Sequence, residues 1–243
     1  MKALRLHRWN VTPRVAARIQ LRLRERLELA DRLPQRIAAI AGADIALDLH
    51  GKEAIAGVVV YRFPEMVEIE RVAARSRLAF PYVPGLLSFR EIPALLKAFA
   101  RLRHAPDLIF CDAHGYAHPR RFGLACHLGV VLDCPSIGCA KSILVGEARA
   151  FSMRAGAWVP LEDKGEVIGA ALRTRAGVKP VYISQGHRIS LARAIEFSRA
   201  VGGPFRVPRP TREADIFVEA LKRSREQPSR RAPGRNKNGR RNP

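Results

Sequence analysis

Residues 14–41 carry Leu, Ile, Val and Ala at three- and four-residue steps with Arg and Glu between them, the spacing of a helix with one buried face. Pro34 interrupts that stretch, because a proline inside a helix lacks the amide that would donate and clashes with the preceding turn. From Asp44 the period shortens. Asp44-Ile-Ala-Leu-Asp-Leu predicts a short strand, Gly51-Lys-Glu a hairpin-like break, and residues 54–63, rich in Val and Ile, a second strand. Residues 66–75 alternate apolar and charged side chains and predict a third; three strands on short links form an antiparallel meander. Pro81-Tyr-Val-Pro-Gly85 reads as a rigid loop. Ser88 stands at a helix N-cap position with Glu91 three residues on, a capping box, and residues 92–102 continue as helix with Pro93 tolerated in the first turns. Residues 106–111 form a buried strand ending in Asp112. Helices are predicted over 122–132, 191–201 and 214–222, and strands over 136–140, 167–174 and 181–184. Strands first, then alternating helices and strands, define an α/β fold with a central mixed β-sheet flanked by helices. The division that follows is an N-terminal helical segment over 1–41 packed on the core, a main domain over 42–225, and a disordered basic tail over 226–243, where apolar anchors are missing.

Composition changes this picture in one respect. The 243 residues are 47% hydrophobic and 27% charged, an ordinary globular balance. The longest apolar run, near 55–61, is strand-sized, so neither a membrane span nor a secretory leader is expected. The charge is not ordinary: 43 Lys and Arg against 22 Asp and Glu give +21. Residues 222–243 hold nine basic side chains and one acid, a net +8, so the rest of the chain still carries +13. A basic body with a basic tail fits a polyanionic partner, and nucleic acid is the common one. The cysteines at 111, 126, 134 and 139 form no C-x-x-C pair. With His114 or His127 nearby their spacing matches no common zinc framework, and they read as buried free thiols of a cytoplasmic protein.

Asp48 and Asp112 stand at the ends of apolar strands, where α/β sheets gather functional groups, and Glu91 in the first turn of a helix offers a third carboxylate. Hard oxygen ligands of this kind suit Mg²⁺ or Mn²⁺. A metal cluster inside a basic surface is an arrangement for phosphodiester cleavage. Each acid also has a structural use: Asp48 as a turn cap, Glu91 in the capping box, Asp112 in an Asx-turn. The residues alone leave both readings open.

Three longer motifs narrow them. Pro81-Tyr-Val-Pro-Gly-Leu-Leu-Ser-Phe-Arg-Glu91, Asp112-Ala-His-Gly-Tyr-Ala-His-Pro-Arg-Arg-Phe-Gly-Leu-Ala and Pro135-Ser-Ile-Gly-Cys-Ala-Lys-Ser142 resemble, in order and spacing, the motifs of endonuclease V, the deoxyinosine repair nuclease. The resemblance runs from about Asp44 to Asp215. It implies a ribonuclease H-like fold, a catalytic domain over 42–225 and a DNA partner containing deoxyinosine. It also implies a nick at the second phosphodiester bond 3′ to the lesion, leaving a 3′-hydroxyl and a 5′-phosphate. The family's metal-binding carboxylates fall on Asp48, Glu91 and Asp112, its histidine on His118, its lysine on Lys141, and its aromatic wedge on Tyr82. Mg²⁺ is the implied cofactor, with Mn²⁺ a substitute, and the enzyme is expected to act as a monomer.

The roles make physical sense. Pro81 and Pro84 restrict the backbone around Tyr82, so that its ring can fill the gap left by an unstacked base. Gly85 and Ala113 approach the base pocket. Lys141 is a point charge for phosphate or hydroxide. His118 contacts phosphate or orders a water, and Arg120 and Arg121 contact phosphate. The chain departs from the family at Ala113, where Gly is usual, at His50-Gly51, where an aromatic is usual, and at Cys126, where Ser is frequent. It also has Asp215 where some members have His; Asp215 either joins the metal shell or caps a helix. Two other readings are an inosine-specific endoribonuclease and a non-catalytic basic nucleic-acid-binding protein.

Overall fold

The computed structural model of the chain describes residues 1–48 and 52–226. The Gly51 break and nearly all of the expected basic tail therefore lie outside the described residues. Helix α1 (Pro13–Arg24) starts where Thr12 Oγ1 accepts from the Val15 amide and Pro13 takes the first position, and it buries Ala16, Ile19, Gln20 and Leu23. It ends 17 residues short of the predicted 41. The chain becomes strand β1 (Ala39–Asp48) instead. Residues 39–43 are buried on both faces, so they lack the alternation by which a one-sided strand is recognised.

Strands β2 (Glu53–Arg62) and β3 (Val67–Arg77) complete the predicted antiparallel meander. Helix α2 (Leu87–Phe99) begins one residue before Ser88, with Leu86 at its N-cap and no capping side chain. The predicted capping box is not formed: Ser88 lies inside the helix, and its Oγ bonds His127 Nδ1 at 3.1 Å. Strand β4 (Leu108–Cys111), helix α3 (Leu124–Leu132) and strand β5 (Ser136–Ala140) follow as expected. Strands β6 (Glu147–Ala148) and β7 (Trp158–Asp163) are additions to the prediction. Strands β8 (Glu166–Leu172) and β9 (Val181–His187) and helix α4 (Leu191–Ala200) fall within a few residues of it. Helix α5 (Arg209–Glu226) starts five residues earlier than expected, because Pro210 sits in its first turn, where the missing amide costs nothing.

The strands form one sheet ordered β3-β2-β1-β4-β5-β9-β8-β7-β6, parallel across β1, β4 and β5 and antiparallel elsewhere. Alternation along β2 assigns its two faces. Ala54, Ala56, Val58 and Val60 pack with Ile92, Leu95 and Phe99 of α2. Val59 and Tyr61 pack with Ala214 and Phe217 of α5. Burial at roughly 25 cal/mol per Å² of apolar surface holds both layers to the sheet. All four cysteines are buried free thiols, as expected. No described helix is long and apolar enough to cross a membrane.

Candidate active site

Parallel pairing sets Ala43 of β1 beside Cys111 of β4, and the Asp112 amide donates to the Ala43 carbonyl at 3.2 Å. The next residue on each strand is an aspartate, so Asp44 and Asp112 are neighbours at the carboxyl edge of the parallel strands. Asp215 comes from α5, which lies directly on β1. A Cβ built on Gly42 would stand 1.9 Å from the Pro210 carbonyl oxygen, so only a glycine admits the helix this close. Carboxylate oxygens of Asp44, Asp112 and Asp215 all lie within 4.8 Å of one another.

Asp48, the first of the expected ligands, lies outside this group. Asp48 shares the α5 side of β1 with Asp44 by strand alternation. However, it lies four residues further along, about 13 Å at ~3.3 Å per residue. There β1 has run past the end of β4 and pairs only with β2, Asp48 opposite Glu53. Sequence reasoning placed the carboxylate at the visible end of an apolar run. Asp44 stands instead in the interior of that run, where a charged residue is costly to bury unless something pairs with it.

Lys141, the residue after β5, bridges the cluster: its Nζ is 2.6 Å from Asp112 Oδ2 and 3.0 Å from Asp215 Oδ2. Burial pulls the Lys141 ammonium down, but the two carboxylates outweigh it and hold the group above its ordinary range. Burial, then the charge of Asp112, pushes Asp44 up to about 8. Asp112 is itself raised by burial, against the pull of Lys141. Glu91, on α2, is pushed up to about 8 by burial; Arg90 opposes the shift and Asp112 adds to it. It stands near Asp112 but outside the three-carboxylate group.

The donor set fits a small, hard divalent cation. All three groups offer oxygen, and ligands at ~2.1 Å from such an ion sit up to ~4.2 Å apart. A testable consequence follows from the raised acids. Without a cation the folded protein holds protons on Asp44 and Glu91 that the unfolded chain releases near pH 4, so stability falls as pH rises from about 4 through about 8. Thermal unfolding in EDTA should give a melting temperature that declines by several degrees between pH 5.5 and 8.5, at roughly 2–4 °C per kcal/mol. Added Mg²⁺ should flatten the decline, as should Asp44→Asn. Parallel curves with and without the cation would contradict the assignment.

A cavity of about 280 Å³ adjoins the cluster, and Asp112 and Lys141 line it as well. Tyr82, Pro84, Gly85 and Ala113, the residues expected near a base, line it, and Tyr82 is 70% exposed. A larger groove of about 750 Å³, lined by Arg36, Arg62 and Phe63, lies at the opposite end of β1 and carries none of the expected residues. Size therefore does not identify the site; proximity to the carboxylates does.

Three expected phosphate contacts have other partners. His118 Nδ1 accepts from the Arg120 amide at 3.1 Å and Nε2 donates to the Gly85 carbonyl at 3.0 Å, which fixes the neutral tautomer. Burial, then Arg120, lowers the ring to about 4. Arg120 donates to Gln20 Oε1 and Gly85 O, each at 2.6 Å. Arg121 is buried and pairs with Asp163 and Glu166 at 2.7 Å. A guanidinium taken out of water needs such partners; Arg121 is buried among its own, while Arg120, partly exposed, is held by Gln20 and Gly85.

A mixed sheet in this order, with carboxylates gathered at the carboxyl edge of its parallel strands and a helix crossing them, is a ribonuclease H-like nuclease fold. The family model of endonuclease V matches residues 21–216, and the chain belongs to that family. Endonuclease V of Roseiflexus castenholzii is 50% identical over 218 residues, which span 90% of this chain and 97% of that protein. The crystal structure of endonuclease V from Streptomyces avermitilis superimposes with a TM-score of 0.85 at 38% identity, covering 90% of this chain and 96% of that one. Endonuclease V of Ciona intestinalis, in complex with a 24mer DNA containing an inosine followed by a ribo-adenosine, has the same fold. Its TM-score is 0.75 at 24% identity, over 84% of this chain and 95% of that one.

Proposed function

We propose that the protein nicks DNA at deoxyinosine, at the second phosphodiester bond on the 3′ side, with Mg²⁺ as its cofactor. The observation that carries this reading is the shared wall. Asp112 and Lys141 belong both to the carboxylate cluster and to the cavity under the exposed Tyr82. An extruded base received in that cavity keeps its strand within reach of the carboxylates. Asp44, Asp112 and Asp215, with Glu91 beside them, hold the cation. When bound, it supplies charge neutralisation at the phosphate and acidifies water. With a cation bound, Lys141 would give up Asp112 and Asp215 to it, leaving its ammonium as a point charge for the phosphate. Tyr82 enters the gap left in the stack, and the cavity walls exclude water from the base.

The reading agrees with the family, with a body charge that favours DNA, and with the inosine-containing DNA bound by the Ciona relative. A nicking assay on matched oligonucleotides tests it. One carries deoxyinosine, one deoxyadenosine and one, as RNA, inosine, each with Mg²⁺ and with EDTA. Cleavage of the deoxyinosine strand alone, only with Mg²⁺, is the expected result. Faster cleavage of the RNA would replace the substrate assignment, and cleavage in EDTA would remove the cation. Tyr82→Ala should weaken binding to the deoxyinosine duplex about tenfold to a hundredfold, since base–aromatic stacking contributes ~1–3 kcal/mol. Equal affinity of the two proteins would remove the wedge role.

A further inference from the structure

The backbone carbonyl of Gly85 accepts three hydrogen bonds at once: from Gln20 Nε2 at 3.1 Å, His118 Nε2 at 3.0 Å and Arg120 Nη2 at 2.6 Å. A carbonyl oxygen offers two lone pairs, so three donors, one of them charged, are more than a turn requires. Gly85 closes the segment Pro81-Tyr-Val-Pro-Gly, with φ at +76°, in the region that favours glycine. A Cβ there would stand 2.9 Å from Arg120 Nη2 and 3.4 Å from His118 Nε2, so the donors close tightly around this position.

Gln20 joins the three donors into one unit. Its side chain is fully buried; Oε1 accepts from Arg120 Nε at 2.6 Å, and Nε2 donates to the Phe122 carbonyl at 3.1 Å as well as to Gly85. It projects from α1, whose Ala16, Ile19 and Leu23 pack with Phe80, Leu86 and Phe89 on either side of the same loop and with Phe122. Three residues before the clamped carbonyl, Tyr82 is largely in solvent. An exposed aromatic on a loop would ordinarily sample many directions. Here the loop is anchored at one end by a buried amide from a different part of the chain.

We infer that Gln20 is a positioning residue for base extrusion: through Gly85 it holds the proline-bounded loop so that the Tyr82 ring is presented in one direction. The inference rests on the deoxyinosine reading above. Its physical content is preorganisation. The conformational entropy of ordering the wedge is lost when the protein folds, not when DNA binds, so removing the anchor raises the apparent dissociation constant for the lesion and leaves the chemical step alone.

Two variants of the full chain test this. Gln20→Leu keeps the size and removes both the donor and the acceptor. Gln20→Glu keeps the acceptor for Arg120 and removes the donor to Gly85. In either, KM for a deoxyinosine duplex should rise about tenfold while kcat stays within about threefold. In a Tyr82→Ala background the same substitutions should cost nothing further, because the ring they position is gone. A purely structural role would instead lower kcat alongside the melting temperature and add to the Tyr82→Ala defect, and either result overturns the inference. A measurement without DNA separates this from the substrate reading. The Leu86 amide bonds the Val83 carbonyl across the loop at 2.9 Å, and its hydrogen exchange should quicken in both variants. Unchanged exchange overturns the role of Gln20 even if the wild type nicks deoxyinosine DNA. Quickened exchange in a protein inert on that DNA would support the anchor and overturn the substrate.

Discussion

Asp44→Asn is expected to lower the nicking rate at saturating deoxyinosine DNA by about a thousandfold or more, whereas Asp48→Asn should stay within about threefold of wild type. The first figure corresponds to roughly 4 kcal/mol at 1.36 kcal/mol per tenfold, the scale of losing a metal's contribution to charge stabilisation. Asn retains the shape and removes the charge, and Asp44 is one of three carboxylates whose oxygens converge. Asp48 lies on the same face of β1 but beyond the last register position that β1 shares with β4. Binding of the lesion in EDTA should survive in both variants, because the cavity wall is built from other residues. Single-turnover nicking over a Mg²⁺ series is the measurement. An Asp44→Asn enzyme restored by high Mg²⁺ would still mark Asp44 as a ligand, since only affinity would then have changed. Loss of activity in Asp48→Asn with Asp44→Asn unaffected would return the first ligand to the strand end.

Gly42→Ala should also be damaging, although it touches no charged group. The added methyl meets the Pro210 carbonyl carbon at 2.1 Å and its oxygen at 1.9 Å, so the first turn of α5 must move away from β1. Overpacking of this kind costs about 3 kcal/mol or more, on the order of 10 °C in melting temperature. The functional loss comes by a second route. Asp215 follows Pro210 by five residues on the same helix, so a displaced helix carries its carboxylate away from Asp44 and Asp112. Nicking should fall by about tenfold to a hundredfold, and the stabilisation by Mg²⁺ should shrink with it. A melting temperature and Mg²⁺ response equal to wild type would show that the helix approaches β1 less closely than the contact implies.

Sequence and structure agree where the physics is local. The meander over β1 to β3, the short parallel strands β4 and β5, and helix α4 were legible from their apolar runs and flanking breaks. Strand β7 was not, because only Leu161 of its six residues is fully buried and Pro160 interrupts it, as is tolerated toward a sheet edge. The capping box failed because a Ser-x-x-Glu spacing does not say which way the serine faces, and Ser88 is claimed by His127 from α3. Around the cluster, the motifs point to Glu91, Asp112, Lys141 and Tyr82, which the fold places at or beside the carboxylates and the adjoining cavity. The motifs point to Asp48, whereas the fold brings Asp44, four positions earlier, to the cluster. Register with β4, a long-range property, is what separates the two. The same holds for Arg120, Arg121 and His118. Each is a plausible phosphate ligand by residue type, and only the fold reveals the internal partners that already engage them.

The carboxylate cluster draws on the first strand of the sheet and on its last helix, positions separated by 171 residues of chain. A growing polypeptide that has left the ribosome as far as β9 possesses Tyr82, the residues that line the cavity and Lys141, but it lacks Asp215 and the helix that packs on β1. The cavity is therefore synthesised before the last of the three carboxylates. A chain truncated ahead of α5 by a stalled ribosome or a protease therefore lacks one of the three converging carboxylates.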